Sequence, residues 1–301
     1  MIERQKTLRA CGALLLTAII WGAAFAAQQK MSEYLDPFTC NGLRFLIATM
    51  SVYPFMRREN RQKHTPVSKM DVGAGALIGV ILFLAAFCQQ AGVRDAGAGK
   101  AGFVTALYVV LVPLVGALLF RQKTRPSTWL ALAIALPGLY LLCIPLGEKF
   151  SLAASDLWLI GGALMWAFHI LYTDIYARRT TALKLCVIQF AVASALNLVC
   201  ALLFEDISLH AVIPAMWAIL YCGIMSNGVG YYLQTVGQMH AKPAHAALIL
   251  SLESVFSVLS GALLLGERMS TQGYLGCGLM LLAVLLSQFG MLKQSGGDIH
   301  V

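Results

Sequence analysis

Apolar residues arrive in ten long blocks, roughly 10–29, 37–56, 71–91, 100–120, 127–145, 155–177, 184–204, 211–233, 243–265 and 272–292, separated by short charged breaks. Each block is close to the ~20 residues that a helix needs to cross a bilayer. Only helices and closed barrels satisfy their own backbone groups in hydrocarbon. Barrel strands alternate apolar and polar residues over short runs, and these blocks are long and continuous. The pattern therefore predicts an all-α integral membrane protein with ten transmembrane helices and no space for a soluble domain. Composition agrees: 12% of residues are charged and the mean hydropathy is +0.74, against about 25% charged in a soluble domain.

The net charge of +8 changes the picture through its distribution. With the N-terminus placed in the cytoplasm, the inner segments hold Arg4, Lys6 and Arg9; Arg57, Arg58, Arg61, Lys63 and Lys69; Arg121, Lys123 and Arg125; Arg178, Arg179 and Lys184; Lys242; and Lys293. The outer segments hold only Lys30, Arg94, Lys100, Lys149 and Arg268. This bias follows the positive-inside rule. It predicts a multi-pass protein of the cytoplasmic (inner) membrane with both termini inside, and it argues against a nucleic-acid patch. The N-terminal stretch has the charged start and apolar run of a signal peptide, but its long run and the lack of a convincing cleavage site before Trp21 make it a retained first span. All eight cysteines fall within apolar blocks without a CxxC or Cys/His spacing, so neither disulfide nor metal is expected.

Sliding the chain against itself by 145 residues brings Trp21 onto Trp166, Phe45 onto Phe190, Gln89 onto Gln234, Gly92 onto Gly237, and GALL at 116–119 onto GALL at 261–264, with no gap. Matches of Trp, Gln and Gly are improbable in so apolar a chain. The sequence thus divides into repeats 1–147 and 152–292, joined near PLGEKFSLAASD, with a cytoplasmic tail at 293–301. Five spans per repeat is an odd number, so the two copies must be inverted. Inverted repeats are the architecture of many secondary transporters, whose substrate site lies near mid-membrane at the repeat interface.

The chain resembles the drug/metabolite transporter superfamily, in its ten-span branch with two EamA-type domains. The segment SLESVFSVLSGALLLGERMSTQGYLGCGLMLLAVLL at 251–286 resembles that domain's closing two helices, and IIWGAAF, GLRFLIA and AGKAGFVTALYVVLVPL support it. Two departures stand out. Ser254 occupies the position after the glutamate where many members have proline, which bears on any proline-dependent bend of the ninth helix. RQK at 121–123 replaces the Gly266-Glu267 turn of the second repeat. The resemblance implies export of small metabolites, such as amino acids or amphipathic compounds.

Inside the spans, Glu253 is the conspicuous group. A charge at a helix centre is expensive, so it must face protein or water. Glu253, Ser254, Ser257, Ser260 and Gly261 share an arc of about 120° at 100° per residue, which is expected to face inward. Two roles stay open for Glu253: proton carrier and substrate contact, or a protonated side chain bonding a neighbouring carbonyl to hold helices together. Further candidates for substrate contact fall on similar stripes: Trp21, with Phe25 and Gln28; Gln89, beside Gln90; Tyr108, the repeat mate of Glu253; Trp166, with His169 and Thr173; and Asn227, Tyr231 and Gln234 at i, i+4, i+7. His169 is a second candidate proton site or a hydrogen-bonded core histidine. Arg44, about 10 Å into its span by rise per residue, is a structural or anion-binding candidate, able to snorkel outward or to meet an anion.

No Walker A pattern, G-x-S-x-G elbow or H-E-x-x-H occurs, so the sequence points away from an ATPase or an enzyme. The expected activity is secondary active transport by alternating access, with facilitative exchange or import as the alternatives. The expected partners are a small-molecule substrate and membrane lipid, with a proton as a coupling ion. No cofactor is implied, and both monomer and homodimer fit. The charge bias makes a prediction of its own. A green fluorescent protein fused to the C-terminus should fluoresce and alkaline phosphatase at the same place should be inactive; the opposite result would invert the topology.

Overall fold

A computed structural model of the chain describes residues 2–144, 147, 153–265 and 270–295. The segment joining the repeats, most of the expected tail and the Gly266-Glu267 turn lie outside the described residues.

The spans predicted from the apolar blocks form as helices. The first repeat comprises α1 (Ile2–Ser32), α2 (Pro37–Lys63), α3 (Lys69–Ala106), α4 (Tyr108–Phe120) and α5 (Pro126–Cys143). The second comprises α6 (Ala154–Ala177), α7 (Ala182–Phe204), α8 (Leu209–Leu220), a π-helical segment at Tyr221–Gly230, α9 (Tyr231–Gln238), α10 (Pro243–Leu250), α11 (Glu253–Leu265) and α12 (Thr271–Ser295). Among the described residues, seven segments are long and apolar enough to cross a membrane, and α5 and α12 supply two shorter apolar ones. The tenth is α2, whose first half is apolar and whose end carries Arg57, Arg58, Arg61 and Lys63. Leu118, Leu202 and Phe204 point outward, 79%, 75% and 73% exposed, while Gln28, Gln89, His169, Gln189, Asn227, Gln234 and Glu253 are buried. This distribution suits lipid as the surrounding solvent.

Three departures from the expected helices all concern continuity. The stretch 92–99, expected to separate the third and fourth spans, keeps helical hydrogen bonding as part of α3. Yet Gln89 and Thr105 line one cavity, where a straight helix would hold them about 24 Å apart, so the chain turns back between them. The fourth span is interrupted at Leu107 and the ninth at Ser251–Leu252. Leu107 and Leu252 are repeat mates, and each donates to a carbonyl three residues back, Val104 at 3.2 Å and Ile249 at 3.1 Å. The ninth span therefore breaks although Ser254 stands where many related domains have proline; beside the break the Ser251 hydroxyl bonds the Leu248 carbonyl at 2.8 Å. The eighth span, expected to be plain α-helix, carries the π segment between α8 and α9.

Contacts between the repeats obey the expected two-fold relation. Gly92 lies under Leu159 and Gly237 lies under Leu14; a shift of 145 residues converts one contact into the other. Phe45 and Phe190, which are mates, stack on each other with centroids 6.1 Å apart. Span two packs on seven and five on ten; span three packs on six as eight packs on one, and four on six as nine on one. An odd number of spans per copy makes this axis lie in the membrane plane.

Both ends of α7 are tied to the first repeat. At one face the Glu205 carboxylate accepts from the Phe38 and Thr39 amides at 2.7 and 2.8 Å and from the Thr39 hydroxyl at 2.7 Å, capping the otherwise unpaired N–H groups that begin α2. At the other face Lys184 Nζ bonds Asp71 Oδ2 at 3.2 Å and the Pro66 carbonyl at 3.0 Å. Asp71 also closes a capping box with Ser68 and accepts from the Thr180 hydroxyl. After α4, Arg121 sits at φ 52°, a left-handed conformation that favours glycine, so RQK makes its turn without one.

Where α5 crosses α12, a side chain at Gly276 would meet the Gly138 carbonyl at 2.6 Å and the Leu142 amide at 2.7 Å. Backbone cannot move aside as a flexible side chain can. Gly276→Val is expected to destabilise the fold by about 1–3 kcal/mol through overpacking, lowering the thermal unfolding midpoint in detergent. Gly12→Val, where nothing lies within 4 Å, is the control and should be close to neutral.

Candidate functional site

The broken spans four and nine meet at the repeat interface. Tyr108 and Glu253 are the first residues of α4 and α11, and Tyr108 Oη donates to Glu253 Oε1 at 3.2 Å. Both are buried. The positive end of a helix dipole favours a carboxylate in its first turn. Small residues admit the neighbouring helix: a side chain at Gly22 of α1 would lie 2.8 Å from the Glu253 carbonyl, so α1 rests on the α11 backbone at this point. Ser254 is buried as expected for the inward arc, while Ser257 and Ser260 are partly buried.

Tyr108 and Glu253 form part of the wall of a central cavity of about 40 Å³. At roughly 10–15 Å³ per water by a probe measure, it would hold about three waters, so this conformation is contracted around the site. Every substrate candidate named from the sequence has a place in its lining: Trp21, Gln89, Tyr108, Trp166, Asn227, Tyr231, Gln234 and Glu253. Arg44 is there as well. It is buried, with its guanidinium 5.1 Å from the Phe45 ring, so it faces the cavity and does not snorkel to the surface.

His169 stands one layer behind. It is buried, its Nε2 pairs with Gln189 Oε1 at 2.9 Å, and its ring lies edge-on to Trp166 and Tyr231. It is absent from the lining of the cavity. Thr105, Ile170 and Ser226 do line it and were not singled out from the sequence. Thr105 could have been found from its i, i+3 spacing to Tyr108, and Ser226 only from the irregular winding that turns it inward.

Tyr231 is the centre of the aromatic wall. It lies 4.9 Å from Trp21, 6.2 Å from Trp166 and 5.6 Å from Phe190 by ring centroids, touching side chains of both repeats. The polar groups around it are not symmetric. Trp166 Nε1 donates to Gln89 Oε1 at 2.8 Å, and Gln89 Nε2 donates on to Gln28 Oε1 at 3.3 Å. Their mates make no such bond. Trp21 Nε1 donates instead to the Ser226 carbonyl at 2.9 Å, inside the π segment, and both amide atoms of Gln234 are left without a partner. Asn227 Nδ2 and Arg44 Nε are likewise unpartnered.

This arrangement of a small central cavity between inverted repeats, walled by interrupted helices, is matched by similarity to known proteins. The model of the EamA-like transporter family matches twice, at residues 8–144 and 153–289. The chain belongs to the EamA-like transporter family. It is 28% identical to an uncharacterised transporter of Archaeoglobus fulgidus over 94% of this chain and 87% of the relative. It is 25% identical to the uncharacterised inner membrane transporter YedA of Escherichia coli, over 95% and 92%. A third relative, 24% identical over 92% and 94%, is named "Probable amino-acid metabolite efflux pump" of Escherichia coli. A crystal structure of a protein 20% identical shares the fold, with a TM-score of 0.76 over 93% of this chain and 97% of its own. The chain is thus a multi-pass membrane transporter of the drug/metabolite type.

The unequal glutamines give a stability test. Gln89→Leu takes away the acceptor of a buried indole N–H, and an unsatisfied donor costs about 1–3 kcal/mol; its unfolding midpoint should fall. Gln234→Leu removes two amide atoms that are already unpartnered, and its midpoint should stay or rise. Equal losses in a thermal melt of the two purified variants would contradict the asymmetry.

Proposed function

We propose that the protein is a secondary transporter that exports small metabolites by alternating access, coupled to protons at Glu253. The observation that carries this reading is the Tyr108–Glu253 pair at the junction of two interrupted helices, facing the central cavity. A carboxyl group that exchanges a proton with either side in turn has to sit where the repeats move against each other. Its bond to the mate residue of the other repeat gives protonation a direct hold on that movement.

Amino acids are the substrate class that the lining supports best. Arg44 and Glu253 bring opposite charges to one cavity, complementary to a carboxylate and an ammonium group. The aromatic wall around Tyr231 suits an apolar side chain, and the unpartnered atoms of Asn227 and Gln234 provide hydrogen bonds to a polar one. The efflux-pump name of one relative agrees with export and with this class. Both termini and the basic segments lie in the cytoplasm on this reading, in the inner membrane, so substrate enters from the side on which α1 begins.

The test is transport in proteoliposomes with an imposed pH gradient, guided by metabolite profiling of medium from cells that overexpress the protein. Wild type should accumulate amino acids in the medium, and gradient-driven flux should rise with the size of the gradient. Glu253→Gln should lose net gradient-driven flux by at least tenfold while retaining exchange of labelled for unlabelled substrate. Full gradient-driven flux in the Gln variant would refute proton coupling at this residue. Export unchanged by Arg44→Gln would remove the charge-pair argument for amino acids.

A further inference from the structure

A second cavity, of about 260 Å³, opens on the face at which α1 begins. Three separate turns of the chain surround it: the connection from α4 to α5, the end of α6, and the start of α10. They bring Lys123, Arg125, Arg178 and Lys242 to its wall, with Asp174 as the carboxylate among them. Asp174 is engaged by Arg178 at 3.0 Å, and Lys123 and Lys242 stand in the same wall.

Two further features point into it. Arg125 and Lys242 are the N-cap residues of α5 and α10, and each is followed by proline at the first helical position. The first turns of both helices therefore line one cavity, with the positive ends of their dipoles converging. At the floor, Thr128 and His245 are 1% and 3% exposed. Thr128 Oγ1 and His245 Nε2 have no partner, while His245 Nδ1 is occupied by Ser287 at 3.4 Å. Buried polar groups are almost always hydrogen-bonded, so two of them unpaired at the bottom of a basic cavity call for an anion with several acceptor oxygens.

The positive-inside rule explains why cations are numerous on this face. It does not explain their convergence on two helix N-termini and two buried unpaired groups. Nor is most of the feature shared by the other repeat: Lys123 has a basic mate in Arg268, but the mates of Arg125, Arg178 and Lys242 are Ser270, Glu33 and Gly97. We propose that this cavity is a phosphate-binding site, distinct from the central cavity. Its oxygens would be held by Lys123 and Lys242 at the rim and by the Thr128 hydroxyl, the His245 ring and the first-turn amide of Ala244 at the floor, the Thr128 and His245 amides being already bonded to the cap carbonyls. A phosphate of this kind comes either from an anionic lipid headgroup, which basic pockets between helices at the membrane surface are suited to hold, or from free phosphate in solution.

The experiment uses the full chain purified in detergent. Native mass spectrometry measures retention of phosphatidic acid against phosphatidylcholine, and thermal unfolding is followed with inorganic phosphate against chloride at equal ionic strength. Retention of phosphatidic acid at least fivefold above phosphatidylcholine, lost in Lys123→Gln/Lys242→Gln and in Thr128→Val, identifies a headgroup site. A saturable rise of the unfolding midpoint with phosphate, lost in the same variants and without lipid preference, identifies a site for free phosphate. The proposal is overturned if wild type discriminates in neither assay or if both variants bind as wild type does. Should the double variant fail to fold, Thr128→Val carries the test alone, since it removes one buried hydroxyl and no charge.

Discussion

The structure depends on two helix interruptions that face each other. At Leu107 and Leu252 the backbone leaves the regular ladder, and the residues that follow, Tyr108 and Glu253, bond across the pseudo-two-fold axis. Irregular backbone at membrane depth is tolerated only where protein or a cavity lies against it. The breaks therefore require the surrounding spans: α1 lies directly on the α11 backbone at Gly22, and α6 covers α4. The cavity exists because helices that stop and restart cannot fill the space at the axis, and the polar residues gathered there have no other place in an apolar bundle to be satisfied.

Within this symmetric frame, the chemistry is placed on one copy or the other. Tyr231 is the centre of the aromatic wall, and its mate is Ala86. Arg44 lies in the wall, while its mate Gln189 is turned to hold His169. Gln89 is engaged and Gln234 is not. The contacts that keep the symmetry, such as Leu14 on Gly237 and Leu159 on Gly92, are apolar packing at the bundle interface. Packing needs shape, which a duplicated helix retains, whereas binding a molecule that lacks two-fold symmetry needs different groups on the two sides.

Much of this was legible in the sequence because the bilayer imposes strict rules. Lengths of apolar blocks gave the spans, and a gapless offset gave the repeat pairing. Stripes of Trp, Tyr, Asn and Gln pointed inward because such residues are rare and costly against lipid. What was not legible concerns local winding. Nothing in SLE at 251–253 marks a break, since neither glycine nor proline is present, and the mate break at Leu107 follows an alanine. The charged break at 92–99 separates two apolar blocks in the sequence, but short-range helical bonds persist through the reversal. For His169 the sequence leaves a proton site and a hydrogen-bonded core histidine both open, and its bond to Gln189 behind the cavity wall is a pairing across helices that periodicity does not encode.

The π segment of span eight has one more consequence. Its counterpart in span three is wound as α-helix with the same number of residues, because the two copies align without a gap. The wider winding was therefore not created by an inserted residue, and removing it would require no deletion. A change of pitch alone, at constant chain length, would screw α9 about its own axis and turn the unpartnered Gln234 with it. The difference between the copies is one of coiling, stored in hydrogen-bond register, and a chain can exchange that form of difference without breaking any covalent or topological constraint.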